Sequence, residues 1–244
     1  MRPFSAGELL EVWEQGSGQP LARRALALLS MACPDLDREA LARLSIGQRD
    51  GLLLSVRESA FGATLSGITN CPKCGEQLET YCYVEDLRTS TGSAADEPGA
   101  LSANGYEVRF RLPDSNDLLA AGDQQDAEAA RKILLERCVL SARRNSAQLP
   151  IGALPEEIVA EIEREMLEMD SQADVHLEFD CPACSAKWSA VFDILAFLWG
   201  ELDAWAQRLL LEVHSLASAY GWREADILEM SATRRSIYLN MVSG

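Results

Sequence analysis

Two short stretches carry the residues most able to do chemistry: Cys71-Pro72-Lys73-Cys74-Gly75 and Cys181-Pro182-Ala183-Cys184-Ser185. Each is a Cys-Pro-x-Cys turn. Two thiolates three positions apart can bite one metal ion from a tight loop, and two such loops close a tetrahedron of four sulfurs. The 106 residues between Cys74 and Cys181 exceed the usual ribbon spacing. An insertion that leaves and re-enters one hairpin removes that objection. Both turns sit between stretches of apolar/polar alternation, 64–70 and 77–84 around the first, 175–180 and 187–192 around the second. The expected unit is a zinc ribbon split by an insertion, with Cys71, Cys74, Cys181 and Cys184 around one structural zinc.

Other readings of these cysteines fit less well. A redox Cys-x-x-Cys opens a helix, whose N-terminus lowers the thiol pKa, whereas both turns here run into strand-like sequence. Disulfides need an oxidising compartment, and Met1-Arg2-Pro3-Phe4-Ser5 leads into Glu8 and Glu11 instead of an apolar signal segment. A catalytic zinc keeps an open position and usually takes a histidine or carboxylate. The two histidines, His176 and His214, fall in a strand pattern pointing off the core and in a long helical pattern. Cys33, Cys82 and Cys138 read as small buried hydrophobes.

The elements that must position the cysteines follow from periodicity. The chain has 244 residues, 48% hydrophobic and 25% charged, enough for one large domain or two small ones. No stretch is long and apolar enough to span a membrane. The fold class is α+β, mainly α: helical N- and C-terminal regions around the split four-cysteine ribbon. The expected division is 1–63 helical, 64–88 first half-ribbon, 89–174 acidic insertion, 175–193 second half-ribbon and 194–244 helical.

Within 1–63, four helices are expected, with Ser5 and Glu8 forming a capping box on the first and Pro20 opening the second. The arginines Arg43, Arg49 and Arg57 are read as exposed and free for a partner. Residues 89–104 read as a linker, 106–112 as a half-buried strand, and 124–140 and 155–169 as helices. Within 121–180, 14 acids stand against 6 bases, half of the whole chain's net charge of −16. From Phe192 an apolar residue recurs every three or four positions to Tyr220, which predicts one helix of more than about 25 residues. Two short helices follow Gly221.

No phosphate loop, dinucleotide fingerprint, nucleophile elbow or His-Glu-x-x-His motif occurs. Together with two histidines, this argues against an enzyme and against a small-molecule substrate. The net charge opposes nucleic acid. Leu216-Ala217-x-x-Tyr220-Gly221-Trp222-x-x-x-Asp226-Ile227-Leu228 has the outline of a helix-turn-helix, which keeps a zinc-ribbon or transcription-associated protein as the alternative. Its second helix carries Glu224, Asp226 and Glu229 where phosphates would lie.

A family resemblance enters on some of these same residues. Leu44-Ser45-Ile46-Gly47-Gln48-Arg49-Asp50-x-Leu52-Leu53, Phe61-Gly62, Cys-Pro-x-Cys-Gly, Phe192-Asp193-Ile194, Leu198-Trp199 and the run His214 to Leu228 with Arg234-Arg235 resemble zinc-binding baseplate or tail assembly proteins. Those proteins belong to myophage-type tails and phage-derived contractile injection systems. The resemblance implies a non-enzymatic chaperone or minor component in the building of a baseplate, with other baseplate and tail proteins as partners. It implies a cytoplasmic location or incorporation in the particle. Within it, Tyr220, Gly221, Trp222, Arg234 and Arg235 are expected to form a docking surface.

Overall fold

A computed structural model describes residues 4–89, 97–122, 124 and 126–243. The class is α+β, mainly α. Four helices open the chain: α1 (Ala6–Gly16), α2 (Leu21–Ala32), α3 (Arg38–Arg43) and α4 (Ile46–Phe61). Strands β1 (Thr64–Asn70) and β2 (Gln77–Tyr83) form the first hairpin. After it come β3 (Gly99–Ala103), β4 (Tyr106–Phe110), α5 (Ser115–Ala121), α6 (Ala127–Cys138), β5 (Val139–Arg144), β6 (Ala147–Gln148) and α7 (Glu156–Met169). Strands β7 (His176–Asp180) and β8 (Lys187–Val191) form the second hairpin, and α8 (Ile194–Tyr220), α9 (Glu224–Leu228) and α10 (Ala232–Ser243) complete the chain.

The long helix α8 is the organising element. Its 27 residues start at Asp193, whose carboxylate accepts from the Leu195 and Ala196 amides, and stop at Gly221 in the left-handed region. Its first half packs Leu195, Leu198 and Leu202 against Leu28 and Leu29 of α2 and Leu53 of α4 in the main core. Its second half packs Leu209, Val213 and Leu216 with Leu10 of α1 and Ile227 of α9 in a separate cluster. One apolar stripe of constant helical spacing thus serves two cores.

The segment between the hairpins builds its own core. Strands β3-β4-β5-β6 form an antiparallel sheet, and Val108, Phe110 and Ala142 meet Ile158 and Ile162 of α7. Two expectations are corrected here. Residues 99–103 are a strand, not linker; Leu101 pairs with Val108, and a Cβ on Gly99 would stand 2.4 Å from the Phe110 ring. Of that expected linker, 90–96 lie outside the described residues. The helix expected over 124–140 covers only 127–138, because Val139 pairs with Phe110 and starts a strand instead. Its apolar side is half-buried, apart from exposed Ala127 and fully buried Cys138.

The arginines are a third correction. Arg43 is exposed, but Arg49 and Arg57 are buried. Arg57 forks onto Glu201 of α8, Nε–Oε2 2.9 Å and Nη2–Oε1 2.7 Å, and also donates to the Gly62 carbonyl at 2.6 Å. Arg49 pairs with its neighbour Asp50, Nη2–Oδ1 2.7 Å. A chain with an apolar residue at every third or fourth position leaves no pattern to reveal a cation bent inward toward a distant carboxylate. Arg57→Ala strands Glu201 and the carbonyl, and should cost about 3–5 kcal/mol in urea unfolding.

A second buried charge site sits in the inserted segment. Asp117 is completely buried and accepts from Arg111 (2.6 and 2.9 Å), Arg137 (2.7 Å) and the Asp114 amide (3.0 Å). Burial pushes its carboxyl up, but these donors outweigh burial and hold it down at about 2. A depressed carboxyl contributes its stability in full above its unfolded value of about 4. That contribution falls away as pH drops through about 2. Asp117→Asn should flatten the pH dependence of Tm over that window, as measured by circular dichroism.

Candidate metal centre

The two hairpins are built alike around their turns. Each strand ladder runs without a break up to the first cysteine, ending at Asn70 opposite Gln77 and at Asp180 opposite Lys187. The Cys71 amide then donates to the Glu76 carbonyl at 2.8 Å, and the Cys181 amide to that of Ala186 at 2.9 Å. The amides of Gly75 and Ser185 return to the carbonyls of Cys71 and Cys181, both at 2.9 Å. This turn needs a left-handed residue just after the second cysteine. Gly75 takes φ +77° there without strain, while Ser185 takes φ +57° against its Cβ. Ser185→Gly should therefore raise stability by about 0.5–1 kcal/mol, read from chemical denaturation of the metal-loaded chain.

The turns face each other. Cys71 Sγ stands 3.7 Å from Cys184 Sγ, and Cys74 Sγ 3.6 Å from Cys181 Sγ. All four sulfurs lie within 4.8 Å of one another. A tetrahedron with metal–sulfur bonds of about 2.3 Å has sulfur–sulfur edges of about 3.8 Å, so these four residues fit a zinc-sized ion. Cys71 and Cys181 are buried, Cys184 half-buried and Cys74 exposed. The cluster thus sits at the hairpin tips with one side toward water.

The thiols influence one another strongly. Burial opposes ionisation of Cys71, but the Cys74 and Lys73 amides and the thiols of Cys74 and Cys181 bring it down to about 6. The Glu76 amide favours the Cys74 thiolate, but the other sulfurs and burial push that thiol up to about 12. A divalent ion beside the sulfurs favours their thiolate form and holds the thiolates together. Four sulfurs fill the shell, so the arrangement suits holding an ion and not presenting one to a substrate. The remaining cysteines behave differently: burial raises Cys33, Cys82 and Cys138, the last to about 12. Of these only Cys138 is fully buried; Cys33 and Cys82 are half-buried.

A second clasp closes the inserted segment, and sequence reasoning missed it. Gln172 Nε2 donates to the Leu87 carbonyl at 3.0 Å, and Gln172 Oε1 accepts from the Thr89 backbone amide at 2.9 Å. Buried Asp170 accepts from the Gly47 amide at 2.8 Å, in the first turn of α4. A carboxylate is well placed at that positive helix end. A Cβ on Gly47 would stand 2.0 Å from Asp170 Oδ1, so any larger residue there forces Asp170 to move. The one available signal was a glycine inside a capping box of Ser45 and Gln48, where a better helix former is expected.

A family model described as T4 bacteriophage base plate protein matches residues 7–199. The chain belongs to this family. No curated protein and no solved structure matches it. The baseplate match covers both cysteine turns, the clasp at Gly47, Asp170 and Gln172, and the start of α8. It ends before the C-terminal residues expected to dock a partner.

Those residues form the end of α8 and the corner after it. Tyr220 and Trp222 stack at 4.4 Å, and Tyr238 meets both edge-on. Tyr220, Gly221 and Arg234 are exposed, and Trp222 is half-buried. Arg235 is corrected: it is buried, pairs with Glu212 at 2.9 Å and donates to the Met230 carbonyl at 2.7 Å. It closes the corner and presents nothing outward. The helix-turn-helix outline also loses its reading element, because α9 has only five residues, two of them acidic. His176 sits outside the core, as expected, with Ser189 Oγ and Asp174 Oδ2 at 3.2 and 3.1 Å. These are the residue types of a hydrolase triad, but His176 and Asp174 are 46% and 40% exposed, so water solvates what a catalytic site must desolvate.

Proposed function

We propose that this chain is a non-enzymatic component or assembly factor of the baseplate of a phage-like contractile particle, held in shape by one structural zinc ion. Membership of the baseplate family carries the reading. The four-sulfur cluster supports zinc as the ion. Its partners are other baseplate and tail proteins. It meets them in the cytoplasm during assembly or stays with them in the particle. No helix among the described residues is long and apolar enough to cross a membrane.

Zinc supplies a cross-link between two hairpins, not reactivity. Each hairpin alone has two strands, too few for independent stability. Metal binding is therefore folding free energy for this part of the chain. The exposed corner at Tyr220, Gly221, Trp222 and Arg234 is the proposed docking surface of the C-terminal region. Deleting the gene in a producing strain tests the function. Unassembled sheath and tube in the lysate are expected; particles of normal number and length would refute it.

A further inference from the structure

The two hairpins leave a groove of about 210 Å³ between them. Its floor is apolar, with Leu65 from β1, Leu177 and Phe179 from β7, and Phe192 and Phe197 at the start of α8. No charged side chain among the described residues lines it, in a chain of net charge −16. Every inward position of the hairpins can reach such a groove. The outward positions that line it are Ser66 and Ile68 of β1 and Val191 of β8, with none from β2 or β7. Outward side chains reach an inner groove only around a strand's free edge. The groove therefore opens between the free edge of β1 and the free edge of β8.

Among the described residues each hairpin is a two-stranded sheet with no further strand beside it, so both of those edges carry backbone amides and carbonyls outside any ladder. Ile68 and Val191 stand at the rim, 66% and 64% exposed. Gly67 lies between Ser66 and Ile68 on the β1 side, with no side chain to block approach. The five β1 residues at the groove span about 13–17 Å, room for a strand of four or five residues.

We propose that this groove takes one extended, uncharged segment of a partner protein, added as a strand to β1 and β8 with alternate apolar side chains on the phenylalanine floor. Backbone pairing supplies affinity, and the uncharged floor selects against acidic or basic segments. The inference rests on the reading that this chain works by binding other particle proteins, and it names where one of them binds.

The test uses the full zinc-loaded chain and a capped hexapeptide of alternating valine and threonine, which carries strand chemistry without any partner's sequence. Amide hydrogen exchange is followed by mass spectrometry. With peptide at about four times its Kd, exchange over 65–69 and 190–192 should slow about five-fold. In the rim variant Ile68→Lys with Val191→Lys, both positions being exposed, that slowing should vanish while the remaining amides exchange as before. No slowing at about 10 mM peptide overturns the proposal, since even a weak strand addition would register there. So does equal slowing in the rim variant. Slowing without peptide that grows with protein concentration, with a dimer in sedimentation, overturns it in favour of a second copy in the groove. The deletion phenotype is a separate readout, so failure of the baseplate reading and failure of this proposal are distinguishable.

Discussion

Cys181→Ser is expected to abolish metal retention, from about one ion per chain to below about 0.1 after gel filtration against a weak chelator. The cause is geometric. Cys181 is buried and stands 3.6 Å from Cys74, so a hydroxyl in its place leaves three sulfurs and an ill-matched fourth donor. The two hairpins then lose their cross-link. Apparent zinc binding to small four-ligand modules is worth about 10–16 kcal/mol, so losing it exceeds what two short ribbons can otherwise supply. Exchange protection should disappear over 64–83 and 176–191 in the variant. The helical core should persist, because α2, α4 and α8 pack through Leu28, Leu29, Leu53 and Leu198 without the cysteines. A Cys138→Ser variant is the control: Cys138 is buried beside Asp117, is not one of the four clustered cysteines, and its loss should leave metal content unchanged.

Gly47→Ala carries the second large effect. Its Cβ would lie 2.0 Å from Asp170 Oδ1 and 3.0 Å from the Ala173 amide nitrogen, one of them fixed backbone. The inserted segment must therefore move off the N-terminus of α4, breaking the Gly47–Asp170 bond. A loss of about 3–4 kcal/mol is expected, a steric clash plus a buried charge-assisted hydrogen bond. Asp170→Ala alone should cost about 2–3 kcal/mol, since it removes the carboxylate from a buried helix end. The pair should cost much less than the sum, because the small side chain at 170 makes room for the methyl group at 47. A double-mutant cycle by urea unfolding measures that coupling.

The parts of this molecule that repeat or alternate were readable beforehand. The two cysteine turns announce themselves by spacing and by matching strand contexts, and α8 by an unbroken apolar stripe that caps at Asp193 and Gly221. The Ser5–Glu8 capping box is present with both of its hydrogen bonds. Part of what escaped reading was local, since Asn104-Gly105 is a hairpin turn that joins β3 to β4; the rest depends on contacts between distant residues. The strand at 99–103 lies in a small-residue stretch, Gly-Ala-Leu-Ser-Ala, whose β character comes from pairing with β4 and not from its own propensity. Val139 leaves its helix where it pairs with Phe110, as its branched side chain also favours. Arg57, Arg235 and Asp170 look like surface charges in sequence; Glu201 with the Gly62 carbonyl, Glu212 with the Met230 carbonyl, and the Gly47 amide account for their burial. The clasp of Gln172 on Leu87 and Thr89 shows that the inserted segment is closed by hydrogen bonds as well as by the cysteine cluster.

The proposed zinc ion joins sulfurs from two hairpins, with 106 residues between Cys74 and Cys181. X-ray absorption at the zinc edge on the purified full chain, with metal content from the same sample, tests it most directly. One zinc per chain with four sulfurs at about 2.3 Å is the predicted result. A chain purified without metal, or a shell containing nitrogen or oxygen in place of any of the four sulfurs, would contradict it.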